Sequence, residues 1–292
     1  MRIFVTGGSG YIGRAVVAEL VRRGHHVSAL VRSDAASATV RKLGAKAVHG
    51  SLESLDIIEL AAREHDATVQ IAAPTPPDGP AREAKLLDVL LRIAPDDHVI
   101  VYTSGGWVYG SRGDAVIDED APVNPIPIVA WRPAHEQRVL AARSRGIRAI
   151  VIRPAVVYGD GGGIVGMLMA SANPGPVRVV GDGTNRWPMV RVDALAELYA
   201  AALEKAPANG IYNASSAAAV PYVEIARAAS RAAGGDGSIE HLTLEDARAA
   251  MGGFADALAI DLQMSSEKAK RELGWYPHRP TVLEELANTV VP

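Results

Sequence analysis

The sequence predicts an α/β protein built on a doubly wound parallel sheet, with a smaller lobe in its C-terminal half. Three observations carry that reading. Short apolar runs alternate with helical stretches from the first residues onward, the first helix has a one-sided apolar stripe, and a long Gly-, Asp- and Pro-rich stretch breaks the alternation after Ser104. Strands separated in this way by helices run parallel and are covered on both faces.

The strand-like runs are RIFVT at residues 2–6, HHVSALV at 25–31, KAVHG at 46–50, ATVQIAA at 67–73 and HVIVYTS at 98–104. The first helix starts near Ile12, with Val16 and Leu20 at fourfold spacing and Val17 and Val21 beside them. Arg14, Glu19, Arg22 and Arg23 make its outer face, and Gly24 is placed to end it. After the long loop, itself a mark of function in a compact domain, a helix is expected near Ala134–Arg145 and a strand at 148–154. A Gly-rich turn, a strand at 177–180, a helix from Asp193, a strand at 210–216 and helices ending at Val290 follow. Residues 1–160 are thus expected to form the first unit and 161–292 mainly the second lobe, with segments such as 177–204 returning to the first.

At 292 residues the chain can bury a large core as one domain or two. It has no cysteine, which excludes a disulfide framework, a thiolate metal site and a cysteine nucleophile, and suits a reducing cytoplasm. A net charge of -3 with scattered basic residues gives no pull toward nucleic acid or anionic lipid. The chain opens on a strand, leaving no room for a signal sequence, and no apolar run approaches the roughly 20 residues of a spanning helix. Apart from His135 the histidines (25, 26, 49, 65, 98, 241 and 278) show no metal-ligand spacing, so no metal is expected.

Between the first strand and the first helix stands Thr6-Gly7-Gly8-Ser9-Gly10-Tyr11-Ile12-Gly13. In that context a Gly-rich turn lets the backbone approach a pyrophosphate, and the helix N-terminus supplies N–H groups and a favourable dipole. This is a dinucleotide-binding Rossmann unit, with Thr6, Gly7, Gly10, Tyr11, Ile12 and Gly13 as binding residues. The second strand ends in Val31-Arg32. An arginine there suits the 2′-phosphate of NADP, and an acid would suit the ribose of NAD. NADP is therefore favoured over NAD. Asp34 has the right distance from the glycines for the NAD-type acid, but at the start of a helix N-capping is its simpler role.

With these motifs, IAA at 71–73, VYTSGGWVYG at 101–110, IRPAVVYG at 152–159, GDGTNRWPMVRVDALAELY at 181–199, IYNAS at 211–215 and SSEKAKRELGWYP at 265–277, nearly the whole chain resembles the extended short-chain dehydrogenase/reductase family, also called the NAD-dependent epimerase/dehydratase family. The resemblance implies that Ala72 and Ala73 line the cofactor, that Leu52 lies near the adenine, and that Pro154 to Val157 pass the nicotinamide. It implies that Ser104 is the catalytic hydroxyl bonding the reacting oxygen, although a serine before two glycines can also cap a turn. A homodimer is the oligomer the resemblance suggests.

One departure matters. The family carries Tyr and Lys four apart at the start of the next helix, and no Tyr-x-x-x-Lys occurs between Gly110 and Arg153. An ungapped register from Gly146-Ile147-Arg148 places Ile128 at the Tyr, Arg132 at the Lys and Glu136 at a helix acid. A shifted register places Trp131 and His135 instead. His135 could move protons near neutral pH, and Arg132 could hold an oxyanion or a ribose; Trp131 and His135 also have plain readings, as packing and as an exposed helix position. Tyr102 and Tyr109 are further candidate donors.

Three functions remain open at this point. The first is an NAD(P)-dependent oxidoreductase acting on a carbonyl or alcohol of a small, rather hydrophobic molecule. The second is a nucleotide-sugar epimerase or dehydratase, for which an Arg-Asp-Phe-like run would be expected where Arg186-Trp187-Pro188 stands. The third is a catalytically degenerate NAD(P)-sensing protein. The loop Pro74–Pro80 and the connection through glycines 161–163, Pro174 and Pro176 either admit substrate or merely join elements.

Overall fold

The first five strands, β1 (Arg2–Thr6), β2 (His26–Val31), β3 (Lys46–His49), β4 (Ala67–Gln70) and β5 (Val99–Thr103), pair in parallel with Arg148–Pro154 and Asn209–Ala214. The order across the seven-stranded sheet is Asn209–Ala214, Arg148–Pro154, β5, β4, β1, β2, β3. The computed structural model describes residues 1–73, 78–94, 97–172, 175–205, 209–216 and 218–289. Residues 74–77 of the loop before Pro80, Pro174 and the expected helix end at Val290 lie outside the described residues.

Strand alternation sends side chains to two cores. Ile3 and Val5 pack with Val16, Val17 and Leu20 of α1 (Tyr11–Arg22), Val40 of α2 (Asp34–Lys42) and Leu195, Leu198 and Tyr199 of the helix Val192–Lys205. Phe4 points the other way, to Ile58 of α3 (Leu55–Arg63) and Leu86 and Leu90 of α4 (Gly79–Ile93). Val139 of α5 (Arg132–Ala141) joins Leu87, Ile100 and Tyr102 on that second side. Burial on both faces is why these strands read as continuous apolar runs.

Some local expectations are corrected. The cap of α2 is Ser33, whose hydroxyl accepts from the Ala36 N–H, so Asp34 is the first helical residue and not the N-cap. Helix α5 begins at Arg132, with Pro133 in its first turn, and tightens into a 3₁₀ turn over Ala142–Arg145. Strand β4 stops at Gln70, which leaves the half-buried Ile71 and Ala72 and the exposed Ala73 as the exit from the sheet.

The second lobe has its own core, in which the Trp187 ring stacks on Tyr222 at 4.0 Å and its indole N–H donates to the Leu258 carbonyl. Strand Val177–Val180 pairs with Ile239–Leu242 within this lobe, because Val177 and Val179 pack into the same core. The chain therefore rejoins the core of the large sheet only at Val190, ahead of the helix Val192–Lys205 that packs there and later than the expected 177. Short parallel pairs also join Met189–Arg191 to Val156–Tyr158 and Gln263–Met264 to Val116–Ile117. Among the described residues no helix is long and apolar enough to cross a membrane, and no cluster of His, Asp and Glu could hold a metal ion.

One buried histidine ties stability to pH. His98, 3% exposed just before β5, has Nε2 3.0 Å from Thr68 Oγ1. Burial pushes its imidazole down from 6.5 to about 4. The unfolded chain therefore takes up this proton first as pH falls, so the stability is intact above the unfolded value and is lost as pH falls toward the folded one. Unfolding in urea should show a His98-dependent loss of about 2 kcal/mol between pH 7 and pH 5. His98→Gln should remove that component; an unchanged pH dependence in the variant would refute the assignment.

Candidate active site

The turn after β1 is shaped for close approach. Gly7 has φ +75°, and a Cβ there would stand 2.7 Å from the Ala72 nitrogen and 2.8 Å from its Cα, so the exits of β1 and β4 touch through backbone. A Cβ on Gly13 would lie 2.0 Å from the Gly7 carbonyl oxygen, which locks α1 onto the turn. Gly10 differs: its φ is -75° and an added Cβ meets only the Gly7 carbonyl, at 3.3 Å. It is the N-cap of α1 and no side chain caps that helix, so the first-turn N–H groups are left for an anion.

A cavity of about 470 Å³ opens in front of this turn. Gly7, Gly10, Tyr11, Ile12, Gly13, Arg32, Leu52, Ala72 and Ala73 all line it. Asp34 does not, whereas Arg32 and Ser33 do. The site lies beyond the carboxyl ends of β1 and β4, where the strand order reverses, which is where ligands bind in open α/β sheets. These residues fit a dinucleotide: a glycine cradle, an uncapped helix end and a cationic far rim.

Tyr11 and Ile12 also line a second cavity of about 290 Å³, together with Ser104, Arg132, Pro154 and Val157. Its remaining wall is largely apolar, with Trp107, Val129, Ile164, Trp187, Ile260 and Leu262. Most polar groups on it are already engaged. The Tyr11 hydroxyl donates to the Gly159 carbonyl at 2.7 Å, Thr103 Oγ1 bonds the Tyr199 hydroxyl at 2.6 Å, and the Trp187 N–H is held by Leu258. Ser104 Oγ is buried and has no hydrogen-bond partner among the described residues. A buried hydroxyl left unpaired at a cavity wall marks a place for a ligand.

Arg132, the first residue of α5, donates from Nη1 to the Thr103 carbonyl at 2.9 Å and the Tyr102 hydroxyl at 3.4 Å. Its guanidinium lies 4.5 Å from the Trp131 ring centre. Behind it is a buried polar layer in which Glu83 accepts from Gln70 at 3.0 Å and Tyr102 at 3.2 Å, and lies 3.4 Å from His135 Nδ1. Burial, and then the Glu83 charge, push the Tyr102 hydroxyl above its ordinary range.

This layer corrects three expectations about side-chain placement. His135 is 6% exposed, with its ring edge-on to Trp131 at 4.9 Å; neither residue lines a cavity described above, and His135 is not an exposed helix position. Thr6 is fully buried, its hydroxyl donating to Gln70 Oε1, so its side chain braces the loop from behind. Of the two registers, the ungapped one brings its residue, Arg132, to the cavity, while its Ile128 is exposed outside it. Glu136 is a buried ion-pair partner of Arg153, at 3.0 Å from Nε. Tyr109 is also buried off the cavity, donating to Asn213 and accepting from Arg153.

Sequence reasoning missed Ser51, Glu53 and Arg82 in the first cavity and Trp107, Val129, Ile164, Ile260 and Leu262 in the second. Glu53 and Arg82 follow β3 and β4, so the rule that ligands sit beyond strand ends could have singled them out. Ile260 and Leu262 carry no such signal, since they reach the site only through packing of the second lobe. Gly162 and Gly163 press on the Tyr11 ring, where an added Cβ would come within 2.3 Å and 3.2 Å, so this turn backs a side chain that both cavities share.

Comparison with known proteins agrees with this fold. The model of the NAD dependent epimerase/dehydratase family matches residues 3–215. A Schizosaccharomyces pombe protein of uncharacterised role is 31% identical, covering 99% of each chain. A 4-hydroxy-2-methyl-3-oxo-4-farnesyl-3,4-dihydroquinoline-1-oxide ketoreductase of Stigmatella aurantiaca is 31% identical over 73% of this chain and 67% of its own. Among solved structures, the dTDP-glucose 4,6-dehydratase DesIV of Streptomyces venezuelae with NAD bound superposes with a TM-score of 0.83 at 21% identity, over 99% of this chain and 96% of that one.

Proposed function

The chain belongs to the NAD-dependent epimerase/dehydratase family, and on that footing we propose that it is a nicotinamide-dependent oxidoreductase acting on a carbonyl or alcohol of a small, rather hydrophobic molecule. The observation that carries this reading is the unpartnered Ser104 hydroxyl on an apolar cavity that Arg132 also lines and that shares Tyr11 and Ile12 with the cavity of the glycine cradle. The bound dinucleotide supplies or takes up a hydride. In the reducing direction Ser104 Oγ–H donates to the substrate oxygen. Arg132, whose Nε and Nη2 make no hydrogen bond among the described residues, stabilises the negative charge that develops there. The proton that completes the alcohol comes from water, because Tyr11 is committed to Gly159 and His135 stands behind Arg132. Trp107, Trp187, Ile260 and Leu262 give the cavity an apolar wall suited to hydrocarbon.

Two observations favour this reading over a nucleotide-sugar enzyme, although a UDP-glucose 4-epimerase of Lactobacillus helveticus is 28% identical over 98% of this chain. Arg186 is held by Asp261 and Asp114, and it is absent from the cavity wall that Trp187 and Pro188 form. The names of the Stigmatella ketoreductase and of the 2-alkyl-3-oxoalkanoate reductase of Stenotrophomonas maltophilia, 29% identical, specify substrates with farnesyl or alkyl substituents. Oxidation of NADPH should be followed across aldehydes, alkyl ketones and ring ketones, with dTDP- and UDP-sugars alongside. Turnover of an apolar carbonyl supports the reading. Turnover of the sugars alone overturns it, and binding without turnover of anything would leave a sensor.

We further propose NADP over NAD as the cofactor, since Arg32 and Ser33 face the cradle and Asp34 does not. Calorimetry should show NADPH binding more tightly than NADH, with Arg32→Asp inverting the order. Equal or tighter NADH binding by the unaltered protein would refute the choice of Arg32.

A further inference from the structure

The far end of the dinucleotide cavity carries more charge than one arginine supplies. Arg32 is exposed and makes no ion pair or hydrogen bond among the described residues. Across the cavity, on the first turn of α4, Arg82 also lines the wall. Between them lies Glu53, from the loop after β3. Its carboxylate accepts from Ser51 Oγ at 2.7 Å and forms an ion pair with Arg82, 3.2 Å from Nη1. Arg82 also lies 3.8 Å from Asp78. Arg32, Glu53 and Arg82 line the same wall, and the Ser51 hydroxyl first, then the Arg82 charge and last that of Arg32, hold the Glu53 carboxyl below its ordinary range.

A carboxylate held against one arginine, within the field of a second, resembles in charge and shape the phosphate that such a pair would bind. We propose that Arg32 and Arg82 form a two-sided clamp for the 2′-phosphate of the cofactor, and that Glu53 occupies the clamp in its absence and must be displaced for the phosphate to enter. The proposal rests on the NADPH reading and adds to it a second anchoring residue and a built-in competitor. The phosphate brings about two negative charges to a place where Glu53 supplies one. The exchange is therefore favourable at Arg82 while the released carboxylate returns to solvent beside Ser51. NADH has no group that needs Arg82, and its binding does not require Glu53 to move.

The test is calorimetry on the full-length protein with NADPH, NADH and adenosine 2′,5′-bisphosphate. Arg82→Ala should weaken NADPH and the bisphosphate by about tenfold, the scale of one charge-assisted contact at a partly exposed site, and change NADH by less than about twofold. Glu53→Gln keeps the shape and removes the charge, so it should tighten NADPH by about threefold or more without tightening NADH. Equal losses for NADPH and NADH in Arg82→Ala would mean that Arg82 touches the adenine or the pyrophosphate, and would overturn the clamp. Unchanged NADPH affinity in Glu53→Gln would overturn the competitor. Arg32→Ala separates the layers: if it weakens NADPH while Arg82→Ala does not, the clamp fails and the NADP reading stands. If neither variant affects NADPH, both fail.

Discussion

Gly10→Val is expected to yield a folded protein that no longer binds a dinucleotide. The position has ordinary backbone angles, and an added Cβ touches only the Gly7 carbonyl at 3.3 Å, so the folded chain can accommodate a side chain by a small shift. That side chain would project into the cavity before the N-terminus of α1, where the pyrophosphate must come against backbone N–H groups. Affinity should fall by about 100-fold or more, because a phosphate displaced by a side chain loses charge-assisted hydrogen bonds that water only partly replaces. Gly13→Val is the control. Its Cβ would stand 2.0 Å from the Gly7 carbonyl oxygen, so it should lower the melting temperature sharply. Calorimetry with NADPH and thermal unfolding followed by circular dichroism distinguish the two. A Gly10→Val protein that folds and binds normally would put the pyrophosphate elsewhere.

Ser104→Ala should slow hydride transfer by about 100-fold at every pH while leaving the melting temperature unchanged or slightly raised. The hydroxyl has no protein partner to lose, so its removal relieves an unsatisfied buried group and costs only the bond to the reacting oxygen. Arg132→Met, which preserves length without charge, should lose about 100- to 1000-fold if the guanidinium stabilises the developing oxyanion. His135→Phe should behave in the opposite way. It leaves Glu83 short of a buried partner and should lower stability, yet the pH profile of turnover should keep its shape because His135 does not reach the cavity. These rates are to be measured with the best substrate from the carbonyl panel, in single turnovers that isolate hydride transfer. A profile that flattens near neutral pH in His135→Phe would restore the histidine as the acid. Full activity in both Ser104→Ala and Arg132→Met would move the active site away from this cavity.

The parts legible in the chain alone are those whose physics is local. Burial of Val16, Val17 and Leu20 follows from helical spacing, and burial of β1 on both faces follows from the parallel sheet that its neighbouring helices impose. The glycine turn also reads locally, since strand before and helix after determine what the backbone between them can approach. Arg32 was found by counting to a strand end, and Ser104 and Pro154 by their order along the family pattern. At Arg132 the sequence left two registers open. In a helix each residue turns the side chain by about 100°, so the three-residue offset between the registers falls about 60° short of a full turn and decides between the cavity and the core. Only the start of α5 at Arg132 and the packing of His135 against Glu83 settle which way each points.

The rest belongs to tertiary structure. Thr6 looked like part of the cofactor loop, but pairing of β1 with β4 turns its hydroxyl inward to Gln70. Strand Val177–Val180 could have served either unit, and its partner Ile239–Leu242 assigns it to the second. Glu53 and Arg82 meet across the cradle from a loop and from the first turn of α4, and Ile260 and Leu262 line the second cavity more than 150 residues after Ser104. No periodicity or spacing encodes such meetings. They arise because two separate cores, one around the large sheet and one around Trp187, dock so that their apolar edges and few free polar groups face a common cleft.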